Sequence, residues 1–221
     1  MVVVLHALLF VFFLVNNSRV SQTGRTNCSL MNHEPSAATR ISKQTMPKVN
    51  EIKWIIRPAT MEDKEKATKL LRASYENLLA NDYEPDILKE ALPIIARAQP
   101  SLLTSGTWYI VLHPETRDMV GCGGWTPESP MKDQQGRHYP HLRHFATHPN
   151  WLRRGVARVI WNQIWQDVVN MTGPDTVLEL FSTITAQPFY ESLGFEAVES
   201  FMIPLTASCQ FPSVIMRRQP S

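Results

Sequence analysis

The stretch "HPNWLRRGVAR", residues 148–158, sets Arg153, Arg154 and Arg158 around Gly155, after an apolar strand-like run and before a long amphipathic segment. A helix start exposes unpaired backbone N–H groups and the positive end of the helix dipole. Glycine has no Cβ, so a ligand can approach the backbone closely there. Ala157 keeps the next inward position small, and the arginines add positive charge. Such an arrangement suits a diphosphate. The same residues also fit a plainer reading, a basic helix start whose arginines are solvated. The stretch is neither a Walker loop, since the Lys-Ser/Thr ending is missing, nor the dinucleotide G-x-G-x-x-G pattern.

The cysteines offer less. Cys28, Cys122 and Cys209 are too few and too widely spaced for a disulfide framework or a zinc site. No metal is expected. Cys122 lies in the apolar run "MVGCGGW" and reads as a buried, inert thiol rather than a nucleophile, for want of a suitably spaced histidine.

The elements that must position these residues follow from their patterns. Residues 52–60, "IKWIIRPAT", alternate as a strand does. Thr60 with Asp63 three residues on marks a helix start, and residues 61–79 carry Ala67, Leu70, Leu71 and Leu78 at helical spacing. A second helix is expected over 85–98 after Pro85, with Pro93 as a kink point. Residues 107–113 and 118–125 read as an antiparallel hairpin, 126–140 as a loop, and 141–149 as the next strand. The strongest helix spans Arg153 to Met171, where Val156, Ile160, Ile164 and Val168 recur every four residues. A strand at 176–182, a short helix ended by Gly194, and two strands complete a mixed α/β or α+β domain.

The 221 residues suffice for one such domain plus an appendage. A net charge of +2 is too small to argue for nucleic acid. Residues 2–15 are almost wholly apolar, yet shorter than the roughly 20 residues of a membrane helix. They fit a signal peptide or membrane anchor, an organellar targeting segment, or a start upstream of the true one at Met31 or Met46. Residues 16–50 have the composition of a flexible polar linker. A cytoplasmic protein is the default expectation, with secretory or organellar targeting by residues 1–30 as the alternative; membrane contact is expected only if residues 1–15 are retained. The folded domain is expected over 52–218.

Further along, "QPFYESLGFEAVE" follows a strand. The pair "HPNWLRRGVAR" and "FYESLGF", separated by an amphipathic helix and "VLELFS", resembles the Gcn5-related N-acetyltransferase (GNAT) family. The family's acyl-CoA motif, Q/R-x-x-G-x-G/A, is matched by "LRRGVA" at Gly155 and Ala157, with Leu152 in place of the usual Gln or Arg. Thr183 stands where many members have Asn. The resemblance covers residues 52–218. It implies the acyl-CoA N-acyltransferase fold, a mixed and mostly antiparallel sheet flanked by helices and splayed between its fourth and fifth strands.

It also implies direct transfer of an acetyl group from acetyl-CoA, as co-substrate, to a primary amine of a small molecule or peptide. The alternative is an acyl-CoA-binding protein of the same fold without catalysis. Cofactor contacts are then expected from Phe145, Ala146, Thr147, Arg153, Arg154, Gly155, Val156, Ala157, Arg158 and Thr183. Tyr190 matches the family's general acid. For the base, Glu179 and His144 are candidates, with His141 and His148 nearby in sequence and a water-mediated route also open. Trp125, Tyr139 and the loop 126–140 are candidates to line the acceptor site.

Overall fold

The computed structural model describes residues 52–220. The apolar segment 2–15, the linker 16–50 and Ser221 lie outside the described residues. Seven strands form one sheet in the order β1-β2-β3-β4-β5-β7-β6. They are β1 (Ile55–Pro58), β2 (Trp108–Leu112), β3 (Met119–Thr126), β4 (His141–Thr147), β5 (Leu178–Ser182), β6 (Glu196–Pro204) and β7 (Gln210–Arg218). Every neighbouring pair is antiparallel except β4 and β5. Pro58, which lacks an N–H, is tolerated because β1 is an edge strand. β2, "WYIVL", is almost wholly buried, as suits a strand covered on both faces.

Helices cover the two faces. α4 (Val156–Thr172) lies on one, burying Val156, Ile160, Ile164 and Val168 to 1 % exposure or less. Each such side chain contributes about 1.5–3 kcal/mol. α1 (Lys64–Leu78) and the single turn α3 (Pro100–Leu103) cover the other face against Trp108, Ile110, Cys122 and Ala146. α2 (Pro85–Ile95) packs beyond them toward Phe211 of β7. The Asp63 carboxylate accepts from the Thr60 N–H at 2.8 Å and from Arg57, so one acid caps the helical start and ties it to β1.

The sequence-based boundaries shift in two informative places. α2 passes through Pro93 but stops at Ile95, and α3, which the pattern does not announce, follows after Pro100. More consequentially, α4 starts at Val156, not Arg153. Arg153 and Gly155 both take left-handed backbone angles, with φ of 61° and 84°. Residues 152–155 are therefore a curled loop in front of the helix.

β4 and β5 share a single register pair, His141 with Glu179. That end is clamped. Arg217 of β7 donates from Nε and Nη2 to Glu179 Oε2 at 2.9 and 2.8 Å, and His141 Nδ1 lies 3.5 Å from Oε1. Beyond the clamp the strands part. β4 also bulges there: Ala146 faces Cys122 and Arg143 faces Gly124, leaving His144 and Phe145 both opposite Gly123. His144 takes φ 45°, a region few non-glycine residues adopt. Gly123 permits the bulge, because a Cβ at this position would stand 2.8 Å from the Phe145 ring.

The clamp predicts a mutational pattern. Arg217→Met leaves Glu179, 3 % exposed, as an uncompensated buried charge, and should cost about 3–5 kcal/mol. Glu179→Gln added to that variant should recover most of the loss. Urea unfolding of the single and double variants checks both.

Candidate functional site

The end of β4 leads through a short turn at Pro149–Trp151 into the loop before α4. Past the His141–Glu179 pair, the β4 backbone groups on the β5 side have no strand partner, and Phe145, Ala146 and Thr147 occupy that stretch. Buried backbone groups are normally paired, so such an edge is a ready acceptor for an extended ligand. The first in-helix bond of α4 runs from the Val159 N–H to the Gly155 carbonyl at 3.1 Å. The N–H groups of Val156, Ala157 and Arg158 are thus the helix's orphan donors. A Cβ built on Gly155 meets nothing within 4 Å, so the space in front of these donors is open. Arg153, Arg154 and Arg158 are exposed and make no carboxylate pair among the described residues. Val156 instead turns its side chain into the core, 1 % exposed, and offers only backbone to the loop. Open space, orphan donors and unpaired cations fit a diphosphate joined to an extended chain.

Leu152, at the position where the usual motif has Gln or Arg, is 39 % exposed, and its N–H donates to the Pro149 carbonyl at 3.4 Å. The loop is braced from behind by residues the sequence reading overlooked. Trp54 Nε1 donates to the Arg154 carbonyl at 3.2 Å, and Trp54 packs edge-on against Trp151. Arg154 lies over the Trp151 ring.

Tyr190 sits on the short helix α5 (Gln187–Glu191), its ring centroid 6.3 Å from that of Phe145 on the bulge. Burial raises its phenol above the ordinary range, and its hydroxyl makes no hydrogen bond among the described residues. Tyr75 of α1 is a second phenol, packed against the core on the α1 side of the sheet. Burial raises it, and Cys122 and Tyr190 are close enough to add to the effect. Cys122 is sealed at 0 % exposure with its thiol pushed up by burial, which fits the inert reading. The loop leading into α5 is fixed by the turn between α1 and α2. The Tyr83 hydroxyl accepts from the Ile184 N–H at 2.8 Å and donates to the Pro212 carbonyl, while Thr185 donates to Asp82. Thr183 caps the turn at Ile184–Ala186, its hydroxyl accepting from the Ala186 N–H.

The base candidates separate cleanly. Burial alone would raise the Glu179 carboxyl, but His141 and Arg217 more than offset it and hold it below the ordinary range. Glu179 stands at the clamped end, with both oxygens engaged. His141 is 2 % exposed, packed edge-on against Phe181. His148 caps a turn, its Nδ1 accepting from the Asn150 N–H. His144 stands on the bulge with no side-chain hydrogen bond among the described residues. Burial first, then the nearby Arg143 charge, lower its pKa to about 4, so it is neutral at pH 7.

One acceptor-site expectation fails on burial. Trp125 is 0 % exposed within the α4-side core and lines no opening. Tyr139 donates to Asp133 and lies under Arg217, so it braces its own loop. Arg143 was not singled out from the sequence, although an arginine inside a strand of buried residues is a visible anomaly. It is half-buried and forms no ion pair or side-chain hydrogen bond among the described residues. Among the described residues no cluster of His, Cys, Asp and Glu could hold a metal ion, and no helix is long and apolar enough to cross a membrane.

Comparison with known proteins bears on this arrangement. Residues 79–202 match the acetyltransferase (GNAT) domain family. No curated relative matches the chain significantly. Among solved structures, a GCN5-related N-acetyltransferase from Rhodopseudomonas palustris superposes with TM-score 0.53 at 18% identity, covering 75% of this chain and 94% of that one. The PaiA N-acetyltransferase of Thermoplasma acidophilum, solved in complex with coenzyme A, gives 0.54 at 12%, covering 75% and 98%. A GNAT-family acetyltransferase from Staphylococcus aureus gives 0.53 at 15%, covering 76% and 99%. These likenesses show the fold. With more than half its length matched and its sheet parted between β4 and β5, the chain belongs to the GNAT acetyltransferase family, whose members use acetyl-CoA.

Proposed function

We propose that residues 52–218 form an acetyl-CoA-dependent N-acetyltransferase domain that moves an acetyl group directly to a primary amine. The observation that carries this reading is the conjunction of the β4–β5 opening, the left-handed loop at Gly155, and an unbonded buried phenol, Tyr190, facing the bulge. Acetyl-CoA supplies a thioester carbonyl as electrophile. The free β4 backbone at Phe145–Thr147 would hold the extended arm of the cofactor. An N–H of that stretch would polarise the carbonyl, since donors aimed at developing charge stabilise it strongly in a dry site. The donors of Val156, Ala157 and Arg158, with Arg153 and Arg154, would receive the diphosphate, and Thr183 lies on the opposite wall.

Tyr190 is proposed as the acid that protonates the departing thiolate. Its raised pKa keeps it protonated, and it does not disqualify it. The surroundings that raise the phenol also raise a thiol, as Cys122 illustrates, so the donor and the acceptor of the proton shift together.

His144 is a better placed proton acceptor than Glu179, but a weak one. Taking a proton from an alkylammonium of pKa ~10.4 would be uphill by about 9 kcal/mol for a base at 4. His144 therefore acts after the acceptor nitrogen has begun to bond and become acidic. The amine must arrive neutral or lose its proton to water.

Thiol release from acetyl-CoA with a panel of amines tests the reading; binding of acetyl-CoA without thiol release from any amine would favour the non-catalytic alternative. Tyr190→Phe should lower turnover about a hundredfold or more with little change in coenzyme A affinity. Equal turnover would remove the acid role. Gly155→Glu should weaken coenzyme A binding at least a hundredfold or so, by strain at positive φ and by charge, while Gly155→Asn, which tolerates that backbone, should weaken it far less. Finally, the acid limb of kcat/KM should move with the pKa of the amine supplied. His144 stays neutral above about pH 5, so no fixed limb near 6.5 is expected from it; a limb at 6.5 for every amine would contradict this assignment.

A further inference from the structure

Arg143 is a charge in the candidate site that the reaction just described does not use, and it has no carboxylate partner among the described residues. It occupies β4 between His141 and the bulge. Alternation along the strand puts its side chain on the same sheet face as His141, which faces Glu179 and Phe181 across to β5. That is the face covered by α1, where Tyr75 packs against the core. Burial pulls the guanidinium pKa down, and its field in turn lowers both His141 and His144. Burying a cation without a partner is costly, and folded chains rarely leave one so. Glu179, a carboxylate on this face, is already taken by Arg217 and His141. Asp63 and Asp133 are likewise committed, to Arg57 and Arg137.

We propose that the acceptor is an amino acid, and that Arg143 receives its carboxylate at the mouth of the β4–β5 opening. The inference rests on the acetyl-transfer reading above and names the substrate class for it. Arginine presents a planar fork of donors that matches a carboxylate with two parallel hydrogen bonds. A cation here also disfavours a second positive charge close by. The bound amine is thereby driven toward its neutral form, which the weak base at His144 requires. The bond made is nitrogen to acetyl carbon, the bond broken is carbon to sulfur, and the amine proton leaves with the free thiol in balance.

The test pairs amino acids with uncharged counterparts: glycine with methylamine, leucine with isoamylamine and leucinamide, phenylalanine with phenethylamine and phenylalaninamide. Thiol release from acetyl-CoA should favour at least one amino acid roughly ten- to a hundredfold in kcat/KM. Arg143→Gln should erase that preference and Arg143→Lys should keep part of it, with coenzyme A affinity as the check on folding. A second readout needs no turnover. N-acetyl-leucine and N-acetyl-phenylalanine should bind the coenzyme A-loaded protein more tightly than their amides, and the difference should vanish in Arg143→Gln. If amines turn over without regard to the carboxylate in the wild-type protein, or if Arg143→Gln keeps the preference, the proposal is overturned while acetyl transfer stands. If no amine is acetylated but the N-acetyl acids bind through Arg143, the carboxylate site stands and the transferase reading falls.

Discussion

The Glu179 carboxylate, held between Arg217 and His141, fixes the geometry on which the rest of the molecule turns. It closes β4 and β5 against each other at one end, where they share their single register pair. Parallel strands normally stay paired along their length, each backbone group finding a partner. Here the pairing stops after one pair, and the His144–Phe145 bulge bends β4 away. The freed backbone edge is tolerable because it borders an opening where a ligand can supply the missing partners. A buried ion pair is a poor source of stability by itself. Its value here is positional, since it decides which end of the two strands opens.

The chamber past the clamp is hostile to charge of either sign. Burial raises the phenols of Tyr190 and Tyr75 and the Cys122 thiol, and lowers His144 to about 4. These four groups are therefore neutral at pH 7. Such surroundings favour proton transfers between groups whose affinities shift together, and they penalise an ammonium brought in from water. Arg143, at the rim, biases the same balance further. The loop at Gly155 is the opposite kind of place: exposed, basic and built from backbone donors.

Much of this was legible in the residues, and the exceptions have physical causes. The four-residue spacing from Val156 to Val168 identified the face of α4 that the sheet covers, because burial of one helical stripe imposes that period. Gly155 and Tyr190 stood out by type and context. The left-handed turn at Arg153 did not, since an arginine carries no propensity for positive φ, and the helix was drawn one turn too long. The contribution of Tyr75 and Tyr83 was hidden because both read as ordinary aromatic residues, one on an amphipathic helix and one in the turn after it. What gives them a place in the site is contact with segments more than a hundred residues away, which local patterns do not encode. Trp125 erred the other way: an aromatic beside a polar loop looked accessible, and its strand alternation in fact turns it into the core.

The central claim is that the parted strands and the curled loop form one seat for coenzyme A. Amide hydrogen exchange with and without coenzyme A tests it most directly, because it reads the backbone groups on which the claim rests. The account predicts slowed exchange on binding at Phe145–Thr147 of β4 and at Arg153–Arg158, with β1, β2 and β6 unchanged. Binding that leaves both segments exchanging as before, or that protects only one of them, would contradict it.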